Sequence, residues 1–538
     1  MRGRHPHRQR QAGARLPRPQ PRQPRHRVGG RDRRHRHRRD GPEGRRAGAR
    51  GRRARLAGGR ARRRIRPDPR ARTGLERAHR RAPGHQDLRP AAPGGTGVAA
   101  AVTDATHRVA VCGLWHLGST AAAGLLTHGR AVVAYDPQEH LRAGAAAATP
   151  PTGEPGVGEV LRRGLREGRL RVADALAEWA RNALCVLAYD SAVDADGGVD
   201  DARLAQAVAA FARHAPAGAT LAVLSQVPAH THVRWRRTLL AHRPDVNLVH
   251  IPENLRLGRA MDDFVAPARL VVGAEERCTA ERTARSLFPR ATPAYVTLTE
   301  AELVKHATNA YLGMCVSFGN ELGWLAAHLG ADPQVVARLL KADPRVADAA
   351  PLLPGAAFSG ATLRRDLVAL SRIGAKWGRP EFFDTVLTVN DRHAAFPLDL
   401  LGAELGNLKD RRIAVAGLTY KPGTATLRDS LPLRLVRTLL TDGAEVVAYD
   451  PVAEDLPDDV GARRAATLAD AVRGADALLV AAALPELDGA DWAGLRPAAR
   501  LVVDGCGALD PAALSAAGWR CLGLHPRWQE VTGAHAAP

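Results

Sequence analysis

TEAELVKHATNAYLGMCVSFGNELGWLAAHL, residues 299–329, predicts one long helix that divides the rest of the chain into two parts. Thr299 and Glu302 have the spacing of a capping box, and Gly330 marks the end of the helix. Apolar residues recur at three- and four-residue steps, as on a helix face that packs: Leu303, Ala307, Ala310, Met314, Phe318, Leu322 and Leu325.

Two polar residues of this helix, Lys305 and Asn309, lie one turn apart on one face. A lysine and an amide held together on a rigid helix can stabilise a developing oxyanion or exchange protons. The commoner meaning of such a pair is an exposed polar face. The choice between the two depends on the rest of the chain.

The chain has 538 residues and a net charge of +23, but the excess positive charge lies in its first fifth. Residues 1–100 contain 32 arginines, no lysine and six acids, whereas the remaining 438 residues carry 46 basic and 49 acidic side chains. Residues 1–105 have almost no aliphatic periodicity, which predicts disorder. This segment is an RNA- or phosphate-binding arm, a solvated tail, or upstream sequence translated from a misplaced start codon. The absence of lysine favours the last interpretation, so we expect no nucleic-acid partner.

Six cysteines lack the spacing of metal ligands or of a disulfide framework, which indicates a reduced protein without a metal site: Cys112, Cys185, Cys278, Cys315, Cys506 and Cys521. There is no apolar signal segment at the N-terminus and no run of 18 apolar residues. We therefore expect a cytoplasmic location and no membrane partner.

Residues 106–298 read as a dinucleotide-binding domain. A strand at 107–112 runs into GLWHLG, and a helix at 119–127 and a second strand at 131–135 follow. This order, closed by an acid, is typical of NAD-binding folds, where the acid accepts the ribose hydroxyls and its charge repels the 2′-phosphate of NADP. Trp115 departs from the pattern, since it stands at the second glycine position. The predicted NAD-binding residues are Gly113, Leu114, Trp115, His116, Leu117, Gly118 and Asp136, with Ser225 and Gln226 at the end of a later strand.

After a mostly helical region at 299–405, interrupted by a loop at 353–366, the alternating pattern restarts and fills residues 406–538. RVAVCGL at 108–114 is echoed by RIAVAGL at 412–418, and VVAYDP occurs at 132–137 and at 446–451. The sequence therefore predicts an α/β fold in which two Rossmann-like, doubly wound domains are joined by a long central helix and its helical region. Two such domains imply two nucleotide-like ligands that face each other.

The order of these segments resembles the UDP-glucose/GDP-mannose dehydrogenase family over about residues 106–530. GLTYKPGTATLRDS, residues 417–430, is similar to the family run G-x-x-[FY]-K-x-x-T-x-D-x-R-x-S. PENLRLGRAMDDF at 252–264 and the E-x-x-K-x-x-x-N spacing of Glu302, Lys305 and Asn309 match two further family runs. The resemblance implies an NAD domain, a central dimerisation domain and a UDP- or GDP-sugar domain in a homodimer. It also implies oxidation of the sugar C6 alcohol to a carboxylate by two NAD.

The resemblance also implies roles for individual residues. Lys305 and Asn309 would hold the oxyanion or the catalytic water, Glu253 would position Lys305 or the adduct, and Asp366 would assist proton transfer. Residues near the substrate would be Phe358 and Gly360 at the sugar, and Lys421 and Arg428 at the pyrophosphate or the neighbouring subunit.

The chain departs from the family where the nucleophile should stand. The family loop G-x-G-[FY]-G-G-x-C-x-x-K-D reads GAAFSGATLRRD here, so Thr362 replaces the cysteine, and Gln226 replaces the usual Thr or Ser. A threonine hydroxyl is barely ionised at neutral pH, and losing a covalent nucleophile costs on the order of 10⁴–10⁶ in rate. Cys315 lies about 15 Å along the helix from Lys305 and is out of reach. Two hypotheses follow: a dehydrogenase that stops at the aldehyde or oxidises its hydrate directly, and a non-catalytic nucleotide-sugar-binding protein.

Overall fold

The computed structural model describes residues 108–525 except 191, 194–198, 420–424, 426, 428 and 454. The predicted disordered segment 1–105 and two predicted substrate residues, Lys421 and Arg428, lie outside the described residues.

The first α/β domain is built on an eight-stranded sheet of order β10-β9-β8-β7-β4-β1-β2-β3, in which only the β8–β9 pair is antiparallel. Its elements are β1 (Arg108–Cys112), α1 (His116–Thr127), β2 (Ala131–Tyr135), α2 (Glu139–Ala146), α3 (Val157–Arg166), β3 (Leu170–Val172), α4 (Leu176–Ala180), β4 (Leu184–Leu187), β5 (Ala192–Val193), β6 (Val199–Asp200), α5 (Ala202–His214), β7 (Thr220–Val223), α6 (Thr231–Arg237), β8 (Asn247–His250), α7 (Ala260–Val265), β9 (Leu270–Ala274), α8 (Arg277–Leu287) and β10 (Pro293–Val296). β5 and β6 form a separate antiparallel pair.

Helices cover both faces of this sheet, and the strand sequences show why. Val109 and Val111 of β1 join one apolar cluster, and Ala110 and Cys112 join the cluster on the opposite face. Successive side chains of a strand point to opposite faces, so a strand that is buried on both sides must be apolar at every position. The predicted doubly wound sheet is confirmed.

The central region is helical and consists of α9 (Leu298–His328), α10 (Pro333–Lys341), α11 (Ala361–Ala375) and α12 (Glu381–Leu405). The predicted cap of α9 was wrong by two residues, because Thr297 and Glu300 form the capping box. The predicted loop at 353–366 ends at Gly360, so Thr362 and Asp366 lie on a helix.

The assignment of faces on α9 was also wrong. The predicted packing stripe is largely exposed, with Leu303, Phe318 and Leu325 each between 43% and 53% accessible. The buried face is instead polar or small, and it includes Lys305 and Asn309. An exposed polar face, the commoner meaning of a Lys-x-x-x-Asn pair, is therefore excluded.

The second α/β domain repeats the first with a six-stranded parallel sheet of order β13-β12-β11-β14-β15-β16. Its elements are β11 (Arg412–Ala416), α13 (Leu431–Thr441), β12 (Glu445–Tyr449), β13 (Arg463–Arg464), α14 (Leu468–Val472), β14 (Ala477–Val480), β15 (Leu501–Asp504), α15 (Pro511–Ala516) and β16 (Arg520–Leu522). The predicted fold class is confirmed, while the domain boundaries stay predictions.

The sequence echo between the domains extends to the turn after each first strand. Gly113 and Gly417 both have a left-handed φ, +101° and +85°. A Cβ on either glycine would lie 2.6 Å from a carbonyl oxygen of the neighbouring strand's end, that of Ala188 or Ala482. Only glycine satisfies both requirements, so the same turn is built twice from the same local sequence.

Candidate active site

The predicted cofactor loop lies at the carboxyl end of β1, and α1 begins three residues earlier than the predicted position, at His116. Gly118 belongs to the first turn of α1, and a Cβ there would overlap the carbonyl oxygen of Gly113 at 1.7 Å. The helix therefore approaches the loop as closely as a glycine pattern requires. Trp115, at the departing position, is the N-cap residue and is 39% exposed. Leu114 is buried beside it.

Asp136 is buried at the end of β2, and its carboxylate holds the loop in place. Oδ2 accepts a hydrogen bond from the Leu114 amide at 2.8 Å, and Oδ1 accepts one from the Gln138 amide at 2.9 Å. Asp450 accepts from the Leu418 amide at 2.8 Å in the second domain. A carboxylate oxygen has a second lone pair, so Asp136 still has capacity for a ribose hydroxyl, and that contact stays a prediction.

A buried glutamate that the sequence analysis missed links the cofactor loop to a second loop. Glu154 accepts hydrogen bonds from the Gly258 amide at 2.9 Å and the Ala260 amide at 2.7 Å, and its Oε2 lies 3.1 Å from His116 Nε2. In the sequence this residue is an acid inside the turn PTGEPG. A turn has no periodicity, and nothing in it indicates that the partners of Glu154 lie 104 and 106 residues away.

The polar face of α9 forms the floor of the candidate site. Lys305 is only 7% exposed, and its Nζ donates to Asn254 Oδ1 at 3.4 Å. No carboxylate of the described residues forms an ion pair with this ammonium group. A buried cation without a counter-charge is costly, and such groups are concentrated at functional sites.

Glu302 lies one turn before Lys305 and is fully buried. Its hydrogen bonds hold other parts of the protein in place. It accepts hydrogen bonds from the backbone amides of His230 at 2.6 Å and His232 at 2.9 Å, and its Oε1 lies 2.6 Å from His232 Nδ1. These bonds fasten α9 to the start of α6.

Asp366 on α11 meets this face of α9 at the centre of a buried cluster. Asn309 Nδ2 donates to Asp366 Oδ2, while His306 Nδ1 lies 3.0 Å and Arg365 Nε 3.2 Å from Oδ1. Burial alone would raise the pKa of Asp366, but the hydrogen bond from His306 and the charge of Arg365 outweigh it and lower the pKa. Asp366 is therefore a carboxylate at neutral pH. His306 was missed because nothing in its own sequence neighbourhood indicates Asp366.

Gln226 and Ser225, predicted at the cofactor, have their described contacts inside the protein. Gln226 Nε2 lies 3.1 Å from His306 Nδ1, and Ser225 Oγ donates to the Leu187 carbonyl at 3.3 Å. Glu253 accepts from the Leu255 amide of its own turn at 2.6 Å. The described contact of Lys305 is thus with Asn254 rather than with Glu253.

The segment before α11 is tied to both neighbouring regions. Asn390 of α12 accepts from the Phe358 amide at 2.9 Å and donates to the Phe358 carbonyl at 3.1 Å. The Gly360 amide donates to the Asp429 carbonyl of the second α/β domain at 3.0 Å. These bonds bring Phe358 and Gly360 to the junction between the central helices and that domain.

Thr362 is exposed in the first turn of α11, one helical turn before Asp366. It therefore lies on the face of α11 that carries Asp366. The thiols of Cys112, Cys185 and Cys506 offer no substitute, because burial raises the pKa of Cys112 to about 12 and raises that of Cys185 and Cys506 further. All six cysteines are free.

Comparison with known proteins extends over all three regions. Residues 107–292 match the NAD binding domain, 299–392 the central domain and 414–511 the UDP binding domain of the UDP-glucose/GDP-mannose dehydrogenase family. The chain belongs to this family. It is 31% identical over 428 residues to the UDP-glucose 6-dehydrogenase AglM of Haloferax volcanii, which covers 74% of this chain and 96% of that protein.

Other members of the family have different substrates in their names. A UDP-N-acetyl-D-mannosamine dehydrogenase of Pyrococcus horikoshii is 27% identical, over 74% of this chain and 95% of that protein. The solved UDP-glucose dehydrogenase of Pyrobaculum islandicum is 29% identical with a TM-score of 0.69, over 77% of this chain and 96% of that chain.

As a family member the chain is an NAD-dependent oxidoreductase, and the first domain fits its cofactor. The left-handed Gly113, the close approach at Gly118 and the acid at the end of β2 are the features that a dinucleotide requires. Among residues 108–525, outside the gaps given above, no cluster of His, Cys, Asp and Glu could hold a metal ion. No helix in the described part of the chain is long and apolar enough to cross a membrane.

Proposed function

We propose that this chain oxidises the C6 alcohol of a UDP-linked sugar, with a GDP-linked sugar as the alternative substrate. The observation that carries the proposal is the buried Lys305–Asn309 face of α9 against the ionised Asp366. NAD, when bound, accepts one hydride in each oxidation. The substrate's nucleotide would bind the second α/β domain, whose Asp429 contacts Gly360.

In the first oxidation the alcohol gives its hydroxyl proton to the Asp366 carboxylate, loses a hydride from C6 and becomes an aldehyde; Asp366 passes the proton to solvent before the second oxidation. The ammonium group of Lys305 can stabilise the negative charge that develops on the C6 oxygen, because an uncompensated charge in a buried site acts strongly. Lys305 has one described hydrogen bond, and that bond is long. Its remaining protons are therefore available to a substrate.

The second oxidation needs a tetrahedral adduct, and Thr362 is a poor nucleophile for it. Water supplies the adduct instead if Asp366 takes a proton from it, with Asn309 holding the water in place. The resulting hydrate carries a hydrogen on C6 that leaves as a hydride, and the product is a carboxylic acid that loses its proton. Without this step the chain would release the aldehyde.

Stoichiometry distinguishes these outcomes. The full chain is incubated with NAD and, separately, UDP-glucose, UDP-N-acetylhexosamines and GDP-mannose, and NADH is measured at 340 nm with and without hydroxylamine to trap aldehyde. Two NADH per sugar support the hydrate route, and one NADH with trapped aldehyde supports arrest. Calorimetric binding without NADH would favour a non-catalytic sugar-nucleotide-binding protein, and absence of binding would reject both.

We further propose a homodimer built on α9. Leu303, Tyr311, Phe318 and Leu325 form an exposed apolar stripe along one side of this helix, and a contiguous patch of that kind indicates an interaction surface. Sedimentation velocity should give a dimer for the native chain and a monomer for Phe318→Glu. Phe382→Glu, which alters an equally exposed phenylalanine on α12, is the control and should stay dimeric; a native monomer would refute the proposal.

A cytoplasmic location also belongs to this proposal. The six cysteines are all free, and thiols persist in that reducing compartment.

A further inference from the structure

The N-terminus of α1, which faces the cofactor loop, already holds a carboxylate of this chain. The amide of Leu117, the second residue of α1, donates to Asp190 Oδ2 at 3.1 Å. Asp190 follows β4 by three residues, and β4 pairs with β1. The side chain therefore reaches across the carboxyl edge of the sheet at the point where the glycine loop meets the helix.

This position is the one that a dinucleotide's pyrophosphate takes in such folds, because free N–H groups and the helix dipole favour an anion there. Asp190 uses one of those N–H groups. Its negative charge would also lie within a few ångströms of two phosphate charges, where like charges repel strongly in a partly buried site. The carboxylate and the pyrophosphate thus cannot both bind without cost.

The second α/β domain shows that this fold does not require an acid at that position. It builds the same glycine turn at Gly417, and β14 pairs with β11 there as β4 pairs with β1. The residues that follow β14 at the place of Asp190 are Ala483 and Leu484, which carry no charge. Asp190 is consequently a feature of the first domain and not of the turn.

We propose that Asp190 competes with the pyrophosphate of NAD and so sets the cofactor affinity of this site. NAD binding must displace the Asp190 carboxylate from the Leu117 amide, and the chain binds NAD more weakly than the same loop would without the acid. The inference rests on the proposed function only in taking NAD as the ligand of the first domain.

Calorimetry on the full chain at low salt tests this with three ligands: NAD, ADP and adenosine. Asp190→Asn keeps an oxygen that can accept from Leu117 but removes the charge, so the fold should persist with an unchanged melting temperature. NAD and ADP should bind about tenfold more tightly to Asp190→Asn than to the native chain, as expected for the loss of one like charge near the phosphates. Adenosine, which has no phosphate, should bind equally to both.

A matched control is Asp245→Asn, which removes the same charge at the opposite edge of the sheet, just before β8. It should leave all three affinities unchanged. The gain for Asp190→Asn should shrink in 1 M salt, since screening weakens charge repulsion. Asp190→Ala, which also frees the Leu117 amide, should bind NAD at least as tightly as Asp190→Asn.

The results that overturn the inference are distinct from those that overturn the function. Weaker or equal NAD binding by Asp190→Asn refutes the competition and leaves the dehydrogenase proposal intact. An equal gain for adenosine and ADP also refutes it, because the effect would then not lie at the phosphates. If neither the native chain nor the two Asp190 variants bind NAD, the proposed function is refuted together with the inference.

Discussion

Replacing Lys305 with methionine should stabilise the fold while it abolishes turnover. Lys305 is 7% exposed, and its ammonium group has one described hydrogen bond, to Asn254 Oδ1 at 3.4 Å. Methionine has nearly the same length and fills the same space without a charge. If Lys305 supports the fold, its replacement should lower the stability of the protein. If Lys305 serves catalysis at the expense of the fold, its replacement should raise the stability.

The magnitude follows from two opposing contributions. Losing a long hydrogen bond costs about 0.5–1 kcal/mol, whereas replacing buried charged groups by apolar groups of similar volume often stabilises a protein by about 1–4 kcal/mol. The net expectation is a gain of roughly 1–3 kcal/mol in the free energy of unfolding. In a large domain, a gain of that size raises the melting temperature by roughly 2–8 °C.

Differential scanning calorimetry of the full chain measures the shift, and NADH formation with the nucleotide sugar measures turnover. Lys376→Met, which alters an exposed lysine at the end of α11, is the control and should change neither quantity. A lower melting temperature for Lys305→Met would mean that the ammonium group supports the fold. Turnover above a tenth of the native rate would remove Lys305 from the chemistry.

Two further predictions concern the nucleophile and the pH dependence of stability. Thr362→Cys should speed the second oxidation at least about 10³-fold in single-turnover NADH measurements, because a thiol ionises where a hydroxyl does not; an unchanged rate would contradict the assigned position of Thr362. Burial, with the charges of His232 and His306, holds the pKa of His250 well below its ordinary value, so this ring is neutral in the fold and protonates in the unfolded chain below about pH 6.5. The free energy of unfolding should therefore fall as the pH drops below 6.5, by up to about 1.4 kcal/mol per pH unit from this group. Urea unfolding at pH 7.5 and 5.5 measures this fall, which should be smaller for His250→Leu than for the native chain. An equal fall in both would exclude His250 as the cause.

The most apolar strands of the two sheets could be predicted almost to the residue because their information is local. The predicted strands at 107–112 and 131–135 correspond to β1 and β2. Each strand is a short apolar run bounded by turn residues, and a parallel strand buried on both faces needs nothing else to be recognised.

The orientation of α9 could not be predicted from its own sequence. Periodicity assigns the apolar stripe to the protein interior, but this helix buries the face with Lys305, Asn309 and Gly313 and exposes Tyr311 and Phe318. Which face is buried depends on α11 and on the loop after β7, and in our proposal also on a second copy of the chain. Contacts between residues so distant in sequence leave no local periodicity.

The departures at Gln226 and Thr362, which are far apart in the sequence, both lie near Asp366 in the fold: Gln226 contacts its partner His306, and Thr362 lies one helical turn before Asp366 on α11. Gln226 lies against His306, and both ring nitrogens of His306 face acceptors, the Val227 carbonyl at 2.9 Å and Asp366 Oδ1 at 3.0 Å. The hydrogen bond from His306 and the charge of Arg365 lower the pKa of Asp366 and keep this carboxyl ionised in a fully buried position. An ionised Asp366 can accept the proton that water loses as it adds to an aldehyde. In the mechanism that we propose, Thr362 offers no thiolate, and the His306–Asp366 pair therefore favours water over a side chain as the nucleophile of the second oxidation.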